Sequence, residues 1–118
     1  MKLQKVVIIS PTYNEKGNIG RAIDQLEEIL AKVPSNYDMH ILVVDDSSPD
    51  GTADEVRQKA KKFPNVHLHI NPQKMGLGGA YLSGMKYAIE KLNADILFEF
   101  DADLSHDPKL VPQFLSKI

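Results

Sequence analysis

The chain has 118 residues, 42% hydrophobic and 25% charged, the balance of one ordinary globular domain around one core. A formal net charge of −2 offers no basic surface for nucleic acid, and the absence of cysteine excludes disulfides, thiolate metal sites and cysteine nucleophiles. No apolar run approaches the ~20 residues needed to cross a bilayer, and the run after Lys5 is too short for a secretory signal, so a soluble or peripheral chain is expected.

Val6-Val7-Ile8-Ile9 is continuous rather than alternating, as in a strand buried on both faces of a parallel sheet, and it is expected to stop at Ser10-Pro11. Ile19, Ala22, Ile23, Leu26, Ile29, Leu30 and Val33 then recur at three- and four-residue steps, one stripe of a helix that ends before Pro34. A second buried run, Ile41-Leu42-Val43-Val44, leads into Asp45-Asp46 and the turn residues Ser47 to Gly51. Asp50 or Thr52 is placed to cap the next helix, whose stripe is Ala53, Val56, Ala60 and Phe63. Val66 to Ile70 alternates with His67 and His69 and reads as a peripheral strand whose histidines face solvent. A loop from Asn71 to Gly79 precedes a third helix carrying Tyr81, Met85, Ala88, Ile89 and Leu92. Ile96-Leu97-Phe98 forms the last strand before Asp101-Ala102-Asp103, and Pro108 opens a last helix.

Strand and helix alternate throughout, which predicts an α/β fold with a mainly parallel sheet and helices on both faces. In such sheets ligands gather beyond the carboxyl ends of the strands. The polar clusters at 10–15, 45–52, 71–79 and 101–107 all follow strands, so they are expected to meet on one edge.

The residue types in those clusters fit a phosphate ligand and a hard cation. Asp101 and Asp103, flanking a small residue at a strand end, can share one Mg²⁺ or Mn²⁺ with substrate phosphates, although a solvated turn uses the same residues. Asp46 can accept from a base or ribose, with Asp50 and Thr52 holding its loop. Tyr13 can stack on a base, Glu15 can accept from base or sugar, and Asn14 is expected to brace the loop. Lys74 is either a solvated charge or the countercharge of a phosphate or of Asp101, and His106 lies beside the acidic triplet. Glu99 either reaches toward the site or marks an exposed face. Gly76-Leu77-Gly78-Gly79 mimics a dinucleotide fingerprint. It falls on the third strand–helix turn instead of the first, so close helix–sheet packing near the site is expected there. No P-loop pattern is present.

PTYNE at 11–15, VVDDSSPDGT at 43–52, KMGLGGAYLSG at 74–84 and DADLSHDP at 101–108 occur in this order. Together they resemble the N-terminal region of family 2 glycosyltransferases, and the last two resemble the dolichyl- or polyprenyl-phosphate mannosyltransferases in particular. The resemblance implies a Rossmann-like three-layer α/β/α fold, the N-terminal half of a GT-A domain, with residues 1–118 as the nucleotide-sugar-binding portion of a domain that continues beyond them. It implies that Pro11, Tyr13, Glu15, Val44, Asp46 and Lys74 line the donor pocket. It further implies that Asp101 and Asp103 hold Mg²⁺ or Mn²⁺ and serve catalysis, with Ala102 close to the donor. The implied donor is GDP-mannose and the implied acceptor a polyprenyl phosphate at a cytoplasmic membrane face, with inversion at the transferred sugar. A noncatalytic nucleotide- or metal-binding half-domain, and a family 2 enzyme using another donor such as UDP-glucose, are the alternatives. An uncovered sheet edge in such a half-domain invites self-association.

Overall fold

The computed structural model describes residues 3–100; the acidic triplet, His106 and the helix expected after Pro108 lie outside that range. The described elements are β1 (Gln4–Thr12), α1 (Asn18–Leu30), β2 (Tyr37–Asp45), α2 (Thr52–Lys62), β3 (Val66–Ile70), α3 (Gly76–Glu90) and β4 (Ile96–Glu99). All strands are parallel, in the order β3-β2-β1-β4. The chain steps outward from β1 to β2 and β3, then crosses back to the far side of β1, which creates a topological switch between β1 and β4.

The unbroken apolar runs follow from this layering. Val6 and Ile8 of β1, with Ile41 and Val43 of β2, pack against α1 and Val56 of α2. Their sequence neighbours Val7, Ile9, Leu42 and Val44 pack against Ala80 and Ala88 of α3 on the other face. All eight strand side chains are 0% exposed, and burial of each contributes roughly 1.5–3 kcal/mol. The α1 stripe is buried at Ile19, Ala22, Ile23, Leu26 and Leu30, while Val33 packs at its edge.

Two boundaries differ from the sequence reading. β1 continues through Pro11 to Thr12, in register with Val44 and Asp45. Ile9 receives the Phe100 N–H and Thr12 receives the Asp46 N–H, so alternate residues of β1 face β4 and β2. Pro11 shares the orientation of Ile9 and lies past the last β4 pairing, so its missing donor costs no ladder bond among the described residues. Helix α3 begins at Gly76, inside the glycine cluster instead of after it.

The glycines also divide their roles differently. Gly76 has a φ of +79°, which a side chain rarely tolerates, whereas a Cβ on Gly78 would meet nothing within 4 Å. Close packing falls to Gly84, where an added Cβ would lie 2.7 Å from Val44 Cγ2 and 2.8 Å from Ile9 Cγ2. The buried stripe of α3 is the small set Ala80, Gly84 and Ala88, which lets the helix lie close on the sheet, and Ile89 of the expected stripe is instead exposed.

His67 and His69 share one face as expected, but that face is the α3 side and both are half-buried rather than solvent-facing. His69 Nε2 is 3.1 Å from Ser83 Oγ, and its ring centroid lies 4.7 Å from that of Tyr87. His67 Nε2 is 2.9 Å from His40 Nδ1, and His40 Nε2 lies 3.0 Å from Asp38 Oδ1 but out of hydrogen-bonding alignment. Burial first, then the charges of His40 and Lys5, hold His67 below the ordinary histidine value of 6.5.

Gly84→Ala is expected to destabilise the domain, because overpacking of about 1–3 kcal/mol exceeds the ~1 kcal/mol gained in helix propensity; a lower urea midpoint at unchanged slope checks this. Because the unfolded chain protonates His67 before the folded one does, stability is expected to fall as pH drops below 6.5. His67→Gln should flatten that part of the curve in thermal melts between about pH 7 and 5.

Candidate functional site

The loops after β1, β2 and β3 leave the same edge of the sheet and are tied together by side chains of the β2–α2 segment. The β1–α1 loop must turn away from the sheet, and this leaves its backbone N–H groups without ladder partners. Asn14 N–H donates to Ser48 Oγ at 2.9 Å, Glu15 N–H to Thr52 Oγ1 at 3.0 Å, and Lys16 N–H to Asp50 Oδ2 at 3.2 Å. Gly17 N–H donates to both oxygens of Glu55 at 3.0 Å, and Gly20 N–H donates to Glu55 Oε2 at 3.0 Å. Gly17 has no side chain to cap α1, so the Glu55 carboxylate, carried on α2, neutralises that helix start from outside.

Asp45 is the brace between strands. Its carboxylate accepts from Thr12 Oγ1 at 2.8 Å, from Ser48 N–H at 2.9 Å and from Ser48 Oγ at 2.6 Å. Asp50 accepts from Thr52 N–H at 3.0 Å, so this pair holds the loop as expected. The Thr52 hydroxyl, partly opposed by desolvation and aided by the Lys16 and Thr52 amides, holds the Asp50 carboxyl below the ordinary value of 3.8. Asn14 (φ 55°) and Ser47 (φ 62°) both occupy the left-handed region, a cost of order 1–3 kcal/mol for a non-glycine residue that such cross-links sustain.

Asp46 faces the third loop. Its Oδ1 accepts from Met75 N–H at 2.8 Å and from Asn71 Nδ2 at 3.1 Å, and its Oδ2 accepts from Gly76 N–H at 2.9 Å. The carboxylate therefore sits on the N-terminus of α3, whose own N-cap residue, Met75, supplies no side-chain bond. Burial pushes the Asp46 carboxyl up, but the Met75, Asn71 and Gly76 hydrogen bonds and the nearby Lys74 charge outweigh it, and the net displacement is below 3.8. Asp46 is thus a buried group that stays ionised.

Of the residues singled out by sequence, Tyr13, Asp46 and Lys74 come together. Lys74 Nζ lies 4.0 Å from the centroid of the Tyr13 ring, a cation–π contact worth ~0.5–1 kcal/mol at an exposed site. Tyr13 remains 39% exposed, which leaves ring surface for stacking. Glu15 is half-buried, and its Oε2 accepts from Asn18 Nδ2 at 3.1 Å. Pro11 and Val44 are buried opposite one another at the ends of β1 and β2. Asp101, Ala102 and Asp103 lie outside the described residues; the last described link toward them is the Phe100 N–H bond to the Ile9 carbonyl at 2.9 Å. Glu99 is exposed at the end of β4, on the α3 side of the sheet beside Ile9. Among the described residues no group of three or more histidines and acids is arranged to hold a metal.

Asn71 was not singled out from sequence, yet it is 1% exposed and joins β2, β3 and α3. The available signal was an amide residue directly after the Val66–Ile70 run and before Pro72. A cleft of about 310 Å³ lined by His69, Ser83, Lys86, Tyr87, Glu90 and Lys91 lies along α3, away from Tyr13 and Lys74. Ser83 links it to the loops described above through its hydroxyl bond to Asn71 Oδ1.

The sequence matches the model of glycosyl transferase family 2 over residues 7–118, and the chain belongs to that family. It is 40% identical over 114 residues to an undecaprenyl-phosphate mannosyltransferase of Micrococcus luteus, covering 97% of this chain and 44% of that protein. It is 36% identical over 116 residues to a polyprenol monophosphomannose synthase of Mycolicibacterium smegmatis, covering 98% of this chain and 41% of that protein. The chain thus spans less than half the length of these relatives and corresponds to their N-terminal part. Among solved structures it is similar to the mannosyltransferase PcManGT from Pyrobaculum calidifontis in complex with GDP-Man and Mn²⁺. The TM-score is 0.70 at 28% identity, over 87% of this chain and 28% of that one. It also superposes on S. aureus TarS 1–349, with a TM-score of 0.66 at 23% identity over 96% of this chain and 32% of that one, a likeness of fold. The expected parallel α/β architecture of GT-A glycosyltransferases is the one found.

Asp46→Asn is expected to destabilise the domain by about 1–2 kcal/mol, since one of its two acceptor oxygens becomes an amide nitrogen that meets a donor, Gly76 N–H at the least, instead of accepting from it. The native carboxyl is depressed below 3.8, so its stabilisation is complete above that value and is lost as pH falls through the folded pKa. Urea titrations of both proteins should show a gap at neutral pH that closes in strong acid.

Proposed function

We propose that this chain is the donor-binding portion of a metal-dependent glycosyltransferase that moves mannose from GDP-mannose to a polyprenyl phosphate, with inversion. One observation carries the reading: the loops after β1, β2 and β3 converge on Tyr13, Lys74 and an ionised Asp46 at one sheet edge. The two mannosyltransferase relatives and the GDP-Man complex of the Pyrobaculum enzyme support it.

In this reading Tyr13 stacks on the base or ribose, and Asp46 accepts from the nucleoside. Pro11 and Val44 form the floor beneath them, with Glu15 at the rim. Lys74 supplies positive charge for the diphosphate. Asp101 and Asp103 are the hard-oxygen ligands for Mg²⁺ or Mn²⁺, with Ala102 between them close to the donor. A cation held there neutralises charge that develops on the departing diphosphate. The reacting phosphate oxygen of the acceptor forms a bond to the anomeric carbon as the bond to GDP breaks. That oxygen is already anionic near neutral pH, because a phosphate monoester has a second pKa of ~6, so no protein general base is required. No described helix is long and apolar enough to span a membrane, and the proposed acceptor places the chain peripherally at a cytoplasmic membrane face.

Calorimetric titration with GDP-mannose is expected to show binding that requires Mn²⁺ or Mg²⁺. Asp103→Ala should abolish that metal-dependent binding while far-UV circular dichroism stays unchanged. Nucleotide affinity equal to that of the parent chain would refute the metal role. Radiolabelled transfer to a short polyprenyl phosphate marks an active enzyme, whereas metal-dependent binding without transfer marks a noncatalytic half-domain. Binding of UDP-glucose in place of GDP-mannose would overturn the donor.

A further inference from the structure

We propose that Asn71 is a positioning residue of the donor site: its amide fills one oxygen of Asp46 and leaves the other oxygen as the acceptor offered to the nucleoside. The inference rests on the reading that Asp46 contacts the donor, and it assigns the part of the site that sets how that carboxylate is presented.

An ionised carboxylate has about four acceptor positions, two on each oxygen. Oδ1 of Asp46 receives Met75 N–H at 2.8 Å and Asn71 Nδ2 at 3.1 Å, so both of its positions are taken. Oδ2 receives Gly76 N–H at 2.9 Å, and one position remains among the described residues. One remaining acceptor suits a single N–H of a base or a single ribose hydroxyl.

Asn71 is itself held on every side. Its backbone N–H donates to the Asp45 carbonyl at 2.9 Å, and its own carbonyl accepts from the Ser47 hydroxyl. Its side-chain Oδ1 accepts from Ser83 Oγ at 2.8 Å. The amide has only one workable orientation, since its carbonyl oxygen would repel the Asp46 carboxylate. Ser83, having given its proton to Asn71, accepts from His69 Nε2 at 3.1 Å. The chain His69–Ser83–Asn71–Asp46 therefore links β3 and α3 to the carboxylate at the end of β2. A residue that merely filled space here would not need two opposed polar partners on its side chain.

Asn71→Asp keeps the shape and replaces the donor with a second carboxylate against the first. Both cannot be ionised at such a distance, so the pair is expected to share a proton at lower pH, and the shared O–H then restores the bond that the amide made. GDP-mannose affinity with Mn²⁺ is expected to fall roughly tenfold or more at about pH 8 and to return toward that of the parent chain near pH 5. The charged groups facing this pair are Lys74 from the third loop, Asp45 from β2 and, through Ser83, His69 from β3. These are present in both proteins, so the ratio of their affinities is the readout. Asn71→Leu, which cannot donate at any pH, should remain weak throughout. A flat ratio for Asn71→Asp, or parental affinity for Asn71→Leu, overturns the proposal. If the parent chain binds no GDP-mannose, the functional reading fails instead, and the positioning role is decided by carbon-13 NMR titration of the Asp46 carboxyl. That pKa is expected to rise in Asn71→Leu, and an unchanged value overturns the role; thermal melts establish that each variant is folded.

Discussion

The structure depends on one requirement: backbone N–H groups at the start of a helix must find acceptors, and none of the three described helices has an N-cap residue whose side chain supplies one. Gly51 stands at the N-cap position of α2, where Asp50 beside it accepts from Thr52 N–H; Gly17 and Met75 stand at the N-cap positions of α1 and α3 and supply no side-chain bond. Carboxylates from elsewhere supply it, Glu55 for α1 and Asp46 for α3. Both belong to the stretch that leaves β2. That stretch is therefore the fixed point to which the first and third loops are attached, and the edge of the sheet forms a single unit because of it.

This arrangement explains how a loop cluster can be both polar and rigid. The backbone at 14–17 would otherwise be solvated and mobile; here Ser48, Asp50, Thr52 and Glu55 each accept from it. The left-handed backbone of Asn14 is held by its bond to Ser48, and that of Ser47 by its hydroxyl bond to the Asn71 carbonyl. Beneath the loops, the small stripe of α3 brings the helix down onto Ile9 and Val44, so the ends of β1 and β2 have a firm floor. Tyr13 and Lys74, in contrast, project outward from this base, where they remain accessible to a ligand.

The topology adds a further constraint. Because α3 carries the chain from one edge strand back across to β4, the fourth loop begins beside β1 and not beside β3. The motif order along the chain thus differs from the order across the sheet. Residues 13, 46 and 74 are separated by more than thirty or by nearly thirty positions in sequence, yet they lie around one edge.

What the sequence by itself determined was the type and order of the elements. Val6–Ile9 and Ile41–Val44 are continuous because both faces of those strands are covered, and the Ile19–Leu30 stripe is spaced for one helix face; each pattern is a local consequence of which surfaces must be dry. The acidic and aromatic residues at the strand ends were equally visible, as was the family to which their order points. Only the tertiary structure decided that α3 starts at Gly76, that Gly84 is the glycine pressed on the sheet, and that the histidines of β3 face a helix. It alone revealed Asn71, whose importance lies in four partners drawn from distant segments. Periodicity records which side of an element is buried, but a hydrogen bond between residues far apart in the chain exists only once the packing has brought donor and acceptor within about 3 Å.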